Sequence, residues 1–419
     1  MPSTIKIRII GGKGNDTFDL KGNIKNIVYD LNTEKNYGIN LRRTNKEFSS
    51  DPSINLYKGP AFQYTRKRFP QIDIGFNAED GLLLGAGFAL RTFGFRKEPY
   101  ATDQRLTSLF APTKGAYRLK YVGTFNKVLF KNDLLIRAEL VNPTINNFFG
   151  IGNETVFDKS KGLEFYRVRY RFFEADLLVR KRFSEIVELS IGPSYYQYWS
   201  KFKDNSKRIL AHPEVIGTDS ASIYGVKEYI GAKAKFDINF VNNEIFPTRG
   251  ITWFTEFTSM YGFKKGTHNL TRLTSDVTIY ASLRDPGRAG AIFRLGGGHI
   301  FNQDYEYFQV LNIGAHNFLR GYRKNRFSGS SIAYASSELR VKLYKSKSYV
   351  LPGDVGIMGF YDVGRVWQKG EISKKWHPAY GGGFYFIPYG VVMTSFTVGF
   401  SPEDRLFNFS LGSKLKLVF

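Results

Sequence analysis

Three observations predict an all-β fold, specifically a membrane-spanning antiparallel β-barrel of sixteen strands. The final segment is amphipathic with a period of two, the composition is aromatic-rich without a long apolar run, and most of the chain alternates between apolar and polar residues separated by turns. The 419 residues are enough for one large barrel with loops.

The final segment, residues 407–419, has one apolar and one polar face. A period of two is the pattern of a strand, and a barrel strand in a membrane sets its apolar face against lipid and its polar face in a wet lumen. A half-buried strand of a soluble sandwich would show the same pattern, so the rest of the chain decides. The predicted lipid-facing residues are Phe407, Phe409, Leu411, Leu415, Leu417 and Phe419.

The composition excludes a helical membrane protein. Hydrophobic residues make up 42% of the chain, the mean hydropathy is −0.29, and no run approaches the ~20 apolar residues of a membrane helix. The 38 Phe and 26 Tyr suit the aromatic girdles of a barrel. Cysteine is absent, which excludes disulfides and thiolate chemistry.

The net charge of +23 suggests an anionic partner. Basic residues do not form a tail or a helix, however, but alternate along strands, as Arg167, Arg169 and Arg171 do. We expect this basic face to line the lumen and basic loops to meet anionic outer membrane lipid, including lipopolysaccharide. Nucleic acid is not an expected partner.

Residues 1–56 differ in pattern from residues 57–419 and are predicted to form a short periplasmic β-roll-like or linker segment. Within them Gly11–Asp19 fits the G-G-x-G-x-D-x-U-x nonapeptide of calcium-binding β-rolls. A single copy cannot build a roll, so a β-turn with a capping Asp is the simpler interpretation. One rung of a β-roll-like module is the alternative, with Asp16 and Asp19 as weak calcium candidates.

Alternation in residues 57–419 predicts fifteen strands, and a closed barrel of this kind has an even number. We expect the sixteenth either within 163–183 or at 57–67. Short turns at 78–81, 284–288 and 402–404 and long loops at 95–114, 201–225 and 301–330 predict short periplasmic turns and long extracellular loops. The predicted strands are 71–79, 81–94, 115–126, 130–141, 163–183, 186–200, 226–240, 250–262, 270–284, 289–300, 331–344, 354–367, 377–387, 391–401 and 405–419.

Three motifs resemble those of the BamA/TamA superfamily of outer membrane assembly and translocation barrels. Leu319–Tyr322 is similar to the V-R-G-F/Y signature of the loop that folds into the lumen, and Phe360–Gly364 to the F-x-D-x-G strand motif. Phe246–Gly250 is similar to the P-x-x-G turn. The resemblance covers about residues 70–419 and implies an outer membrane location and a lumen-infolding extracellular loop.

The alternation itself places Asp362 and Glu338 on the lumenal face of adjacent strands. Arg320, on the infolded loop, would bridge both carboxylates, as the resemblance implies; Gly321, Tyr322 and Gly364 complete the two motifs. The alternative is a solvated Arg320 and an Asp362 that pairs with a nearby lysine.

The resemblance implies insertion or translocation of proteins at the outer membrane, with client outer membrane proteins and periplasmic accessory proteins as partners. The mechanism would use a weak seam between a first strand containing Gln71 and Gly75 and the final strand, whose edges would accept an incoming strand. The alternative is a barrel that anchors a fused or associated domain, such as a phosphoesterase. An open porin is the third class.

The N-terminal region lacks two features expected upstream of such a barrel. It shows no secretory signal and no helical periodicity of the POTRA domains that the resemblance implies. We therefore expect that an upstream region precedes this sequence.

No catalytic site, metal site or cofactor is predicted. The five His residues show no spacing suited to a metal or a catalytic pair, and the G-x-S-x-G, P-loop and H-E-x-x-H patterns are absent.

Overall fold

The computed structural model divides the chain into two compact units, one of residues 1–65 with 93–95 and one of residues 66–92 with 96–419. The structure describes residues 7–20, 25–39, 44–56, 66–77, 81–95, 97, 99–113, 115–129, 131–213, 223–282, 288–315 and 318–413.

The N-terminal unit is a small parallel β-solenoid. Its strands alternate between two sheets, so that β1, β3 and β5 form one parallel sheet and β2 and β4 form another. Phe18 and Val28 are buried inside the coils. The predicted boundary at residue 57 adjoins residues 57–65, which lie outside the described residues. The elements are β1 Ile7–Ile10, β2 Thr17–Asp19, β3 Asn26–Leu31, β4 Tyr37–Ile39, β5 Thr44–Ser49 and a 3₁₀ turn at Pro52–Asn55.

The second unit is built on one sixteen-stranded antiparallel sheet in which every strand pairs with its neighbours along the chain. The predicted all-β class and strand number are confirmed. The strands are β6 Lys67–Asn77, β7 Gly81–Thr92, β8 Thr102–Ala111, β9 Ala116–Leu129, β10 Asn132–Asn147, β11 Arg167–Arg182, β12 Val187–Ser200, β13 Gly225–Val241, β14 Gly250–Gly262, β15 Leu270–Ser282, β16 Ala289–Ile300, β19 Ser331–Ser346, β20 Gly353–Trp367, β21 His377–Pro388, β22 Val392–Phe400 and β23 Arg405–Ser413.

The remaining elements lie in connections. A two-stranded hairpin, β17 Leu311–Ile313 with β18 Phe327–Gly329, forms inside the connection from β16 to β19. The helices are short, and within the described part of the chain none is long and apolar enough to cross a membrane. They are α1 Gly162–Tyr166, α2 Phe202–Asn205 and 3₁₀ turns at Lys159–Lys161 and Ile209–Ala211.

The sixteenth strand is β8, which occupies the predicted long loop at 95–114. The expected position within 163–183 was wrong, because that segment contains one strand, β11. Residues 57–65 of the other expected position, 57–67, lie outside the described residues. Strand β8 is hard to recognise because only Leu106 and Phe110 expose large apolar side chains on its outer face. Its inner face carries Asp103, which pairs with Arg105 at 3.0 Å.

The predicted alternation of short and long connections was also wrong. In an antiparallel sheet every second connection lies at the same end. The connections that follow β6, β8, β10, β12, β14, β16, β20 and β22 share one end, which we call the loop end; the opposite end is the turn end. The long connections 148–166, 201–224 and 301–330 lie at the loop end, but so does the short turn 401–404. Four strands, β19 to β22, separate 301–330 from 401–404, so these two connections lie at the same end whether or not β8 is counted.

The two faces of the sheet carry different chemistry. On β11, Leu177 is exposed outward, whereas Glu174 and Asp176 point inward and both pair with Lys233. By the same alternation Arg167, Arg169 and Arg171 point outward, so their predicted lumenal orientation was wrong. Near the loop end, the inner face is instead occupied by side chains such as Val168 and Tyr170, which pack on an inner aromatic cluster.

Candidate functional site

The connection 301–330 folds back inside the sheet and forms the centre of the candidate site. Leu319, Tyr322 and Phe327 of this loop are buried in one cluster with Val366 and Ala379 of β20 and β21. The loop and the inner face of the sheet form this apolar cluster together. It holds the loop against the strands, because moving the loop away would expose several large apolar side chains and lose the free energy of their burial.

The tip of the loop binds a carboxylate on β20. Arg320 donates to Asp362 from its backbone N–H at 3.0 Å, from Nε at 2.9 Å and from Nη2 at 2.8 Å. Its Nη1 donates to Glu338 on β19, and its Cζ lies 3.6 Å from the centre of the Phe360 ring. One guanidinium therefore bridges two carboxylates on adjacent strands, an arrangement that the planar fork of Arg allows and the ammonium of Lys does not.

Neighbouring side chains fix the two carboxylates. Ser336 Oγ donates to Asp362 at 2.6 Å, and Arg340 Nε donates to Glu338 at 2.5 Å. Burial alone would lower the pKa of Arg320, but its hydrogen bonds and charge interactions with Asp362 and Glu338 outweigh burial and raise it. Because Asp362 is fully buried, loss of Arg320 would leave a desolvated carboxylate without its cation.

Close backbone contacts set the loop tip against the last three strands. A β-carbon on Gly321 would lie 2.5 Å from the carbonyl oxygen of Phe400, and one on Gly399 would overlap the carbonyl oxygen of Arg320. Asn408 Nδ2 on β23 donates to that same Arg320 oxygen at 3.0 Å. The tip is therefore attached to the final strand as well as to β20.

The structure brings together the six residues that were predicted to hold the loop in the lumen. Tyr322 packs its ring edge-on to Phe327 at 5.3 Å, and a β-carbon on Gly364 would lie 3.1 Å from Ile313 Cδ1 of the loop hairpin. This contact places the glycine of the strand motif directly under the loop. The residues concerned are Arg320, Gly321, Tyr322, Glu338, Asp362 and Gly364.

The predicted seam residues lie on the two terminal strands of the sheet. Gln71 and Gly75 are in β6 and Phe409 and Leu411 are in β23, and these strands occupy the two ends of the strand order. The described residues include no backbone pair between the two strands. Leu415, Leu417 and Phe419 lie outside the described residues.

Sequence reasoning missed a second pair of anchors on the same loop. Arg326, only 1% exposed, forms paired hydrogen bonds of 2.7 Å with Glu403 of the turn 401–404. Arg323 binds Asp404 of that turn at 2.8 Å. The regular spacing of Arg320, Arg323 and Arg326 was the available signal, since three arginines on one loop need three acidic partners.

A buried ion pair holds the start of the loop. Lys227 Nζ on β13 lies 2.6 Å from Glu306 Oε1, and the two side chains are 4% and 1% exposed. Glu306 also contacts His268 Nδ1 at 3.2 Å. Strand β13 and the connection between β14 and β15 therefore hold the start of the loop, away from β20.

A turn from the opposite end also enters the lumen. Phe246, in the connection between β13 and β14 at the turn end, packs on the inner residue Tyr385 with ring centres 5.1 Å apart. Arg340, the partner of Glu338, lies 5.4 Å from the Phe246 ring. A chain of contacts thus runs from Arg320 through Glu338 and Arg340 to Phe246.

The ion pairs of Arg320 with Glu338 and Asp362 hold the loop in place, and we call these three residues the lock. The charged groups of the site form ion pairs with one another. Among the described residues no group of three or more His, Cys, Asp or Glu side chains is placed to hold a metal. The arrangement fixes a loop inside the lumen and links it to β22 and to the terminal strand β23.

Residues 112–413 match the model of the Omp85 superfamily domain, which covers most of the barrel and the whole of the lock. The chain belongs to the Omp85 superfamily. The resemblance to BamA-type barrels is confirmed, and since Omp85 barrels reside in the bacterial outer membrane, so does this one. No curated protein sequence matches the chain.

Two solved structures share the fold. BamA from Haemophilus ducreyi lacking POTRA domains 1–3 superposes with a TM-score of 0.59 at 13% identity, over 91% of this chain and 73% of that one. CdiB from Escherichia coli superposes with a TM-score of 0.51 at 10% identity, over 89% of this chain and 65% of that one. At these identities the likeness shows the fold alone, a transmembrane β-barrel.

Proposed function

We propose that this Omp85 barrel assists insertion or translocation of proteins at the outer membrane through the seam between β6 and β23. The observation that carries the proposal is the attachment of the locked loop to the last strands. Asn408 of β23 donates to the carbonyl oxygen of Arg320, and Gly399 of β22 lies against the same group. The loop tip therefore supports β23, which borders the seam, and its neighbour β22.

In this mechanism the incoming client strand pairs with the strand edges at the seam. A terminal strand presents unpaired N–H and C=O groups, which are a template for an incoming strand of a client protein. With the lock closed, β22 and β23 keep their positions; release of Arg320 would free them to move. Release of the loop and opening of the seam are therefore coupled.

Occupation of the lumen argues against an open porin. The loop 301–330 fills the inside from the loop end, and Phe246 enters from the turn end. A solute would have to displace buried contacts from both ends.

The second candidate is a barrel that anchors a fused or associated periplasmic or surface domain and transports nothing. The N-terminal unit favours it, because residues 7–39 and 44–56, as far as the structure describes them, form parallel strands and one 3₁₀ turn, unlike a βααββ module. In neither candidate do we assign a catalytic role to this chain.

For the lipid partner we propose lipopolysaccharide. Arg167 and Arg169 lie near the loop end of β11 on the outward face, where an anionic outer leaflet would meet them. Client proteins and periplasmic accessory proteins are the other proposed partners.

The two candidates are separated by locking the seam. Because the chain has no cysteine, pairs of cysteines scanned along 67–77 and 405–413 provide a disulfide at the seam without interference. In liposomes, the reduced protein should accelerate insertion of an unfolded β-barrel protein, the oxidised pair should abolish the acceleration, and reductant should restore it.

A matched control joins strands that are already paired. Val398→Cys with Phe407→Cys links direct partners on β22 and β23 and should leave insertion unchanged. If the seam disulfide forms and insertion proceeds at the same rate, or if the wild type accelerates nothing, the anchoring function stands instead.

A further inference from the structure

We propose that the N-terminal solenoid binds a calcium ion between Asp16 and Asp30. This inference concerns residues 7–56 alone and is independent of the proposed function of the barrel. It replaces the predicted pair Asp16 and Asp19 with a different pair, because Asp19 is exposed on β2 while Asp30 is buried inside the coils.

The two carboxylates converge on one point beside Gly11. A β-carbon at Gly11 would overlap Asp30 Oδ2 and would lie 2.8 Å from Asp16 Oδ2. A residue with any side chain could not occupy this position, so the glycine gives the two oxygens access to the same space. Asp16 Oδ2 is held in place by the backbone N–H of Gly12 at 3.0 Å.

Asp30 points one carboxylate oxygen without a hydrogen-bond partner into that space. The residue is 0% exposed, and its Oδ1 accepts from the Leu31 N–H and from Asn55 Nδ2, both at 2.8 Å. Its Oδ2 is buried and has no hydrogen-bond partner. Among the described residues no Lys or Arg forms an ion pair with Asp16 or Asp30. Two carboxylates that share one site without a cation are costly, and a bound cation removes the repulsion and the unpaired charge together.

Neutral oxygens complete a ligand set suited to calcium. The Gly12 carbonyl oxygen and the Asn55 amide lie at the same place, where Asn55 Nδ2 donates to Gly12 O. Asn55 Oδ1 is buried and unpartnered, and rotation of the amide would turn it toward Asp30 and the Gly12 carbonyl. Carboxylate, amide and carbonyl oxygens in an irregular arrangement favour Ca²⁺ over Mg²⁺, which demands an octahedral shell.

The position of the site follows from how the coils stack. Asn15 and Asp16 of the nonapeptide meet the next coil through the Lys35 N–H, which donates to Asn15 Oδ1, and Asn36 Oδ1, which accepts from the Asp16 N–H. That next coil lacks the glycines of the nonapeptide, so hydrogen bonds take the place of an ion between these turns. The cation site instead lies on the inner side, where Asp30 and Asn55 replace the missing repeat.

The test is calorimetric titration of calcium chloride into the full chain in detergent, free of lipopolysaccharide and stripped with EDTA. We expect one ion per chain with a dissociation constant of about 10⁻⁴ to 10⁻³ M, the range of extracellular modules with few charged ligands. Asp30→Asn and Asp16→Asn should each weaken binding at least about tenfold. Asp19→Asn removes an acid from the same unit and should change nothing.

Hydrogen exchange of the wild type keeps the test decisive if the variants unfold the unit. Calcium should slow exchange of the β3 amides, and magnesium at equal concentration should not. Absence of calcium-dependent protection in the wild type, absence of binding up to about 10 mM, or equal binding by wild type and both Asn variants would each overturn the proposal.

Discussion

Arg320 holds Asp362 through its backbone and its side chain at once, with hydrogen bonds of 3.0 Å from the backbone N–H, 2.9 Å from Nε and 2.8 Å from Nη2. The direction of the loop backbone and the rotamer of Arg320 are therefore set by one carboxylate. A swinging side chain could not release the tip while its backbone bond remained, so opening requires the loop to move as a body.

The space at Gly321 is the first testable feature of this fit. Gly321→Ala places a methyl group 2.5 Å from the Phe400 carbonyl oxygen, so we expect the tip to be displaced at a cost of about 1–3 kcal/mol. Protease sensitivity of the loop should rise. Gly290→Ala is the control, because its nearest contact is at 3.6 Å; equal sensitivity of both variants would contradict the tight fit.

The second anchor should contribute to stability more than to gating. Arg326→Ala leaves Glu403 without its paired hydrogen bonds and empties a buried position, so we expect a loss of about 3 kcal/mol. The midpoint of heat-induced unfolding, followed by mobility on gels, should fall. Arg208→Ala removes an arginine that contacts Glu164 outside this loop and should change the midpoint less.

The pair of Lys227 and Glu306 should show strong coupling. Either Lys227→Met or Glu306→Gln alone strands a partner that is almost fully buried, and each should destabilise by about 3–5 kcal/mol. The double variant should lose less than the sum, because no unpaired charge remains. Additive losses in a double-mutant cycle would show that the two side chains act separately.

Phe246 should act as a constriction at the turn end. Phe246→Ala removes the ring that packs on Tyr385, and we expect single-channel conductance to rise even though the loop stays locked. Phe240→Ala, which removes an exposed ring from the preceding strand, should leave conductance unchanged. A wild-type conductance in Phe246→Ala would mean that the loop alone closes the lumen.

The lumenal position of Asp362 could be predicted from the sequence, because successive residues of a strand point to opposite faces of the sheet. Once Tyr361 faces lipid, Asp362 must face the lumen, and the structure places Tyr361 50% exposed and Asp362 fully buried. The infolding of the loop itself came from the resemblance, since nothing in local periodicity says where a long loop goes.

Other parts were not predictable from local pattern. Strand β8 carries polar residues on both faces at its start, where Asp103 pairs inward and Gln104 accepts from Tyr121 at 3.0 Å. Arg167 belongs to a strand whose inner face near the loop end packs in one cluster with Tyr307 and Phe308 of the loop 301–330. The orientation of Arg167 and the pairing of Arg326 with Glu403 both depend on tertiary contacts between distant segments.

Single-channel conductance in a planar bilayer measures whether Arg320 holds the loop 301–330 in the lumen. We expect small, flickering conductance in the wild type and larger conductance in both Arg320→Ala and Asp362→Asn, although these substitutions change the lumenal charge in opposite directions. Arg320→Lys should lie between, since it keeps the charge and loses the fork. A large, steady conductance in the wild type that Arg320→Ala leaves unchanged would contradict the lock.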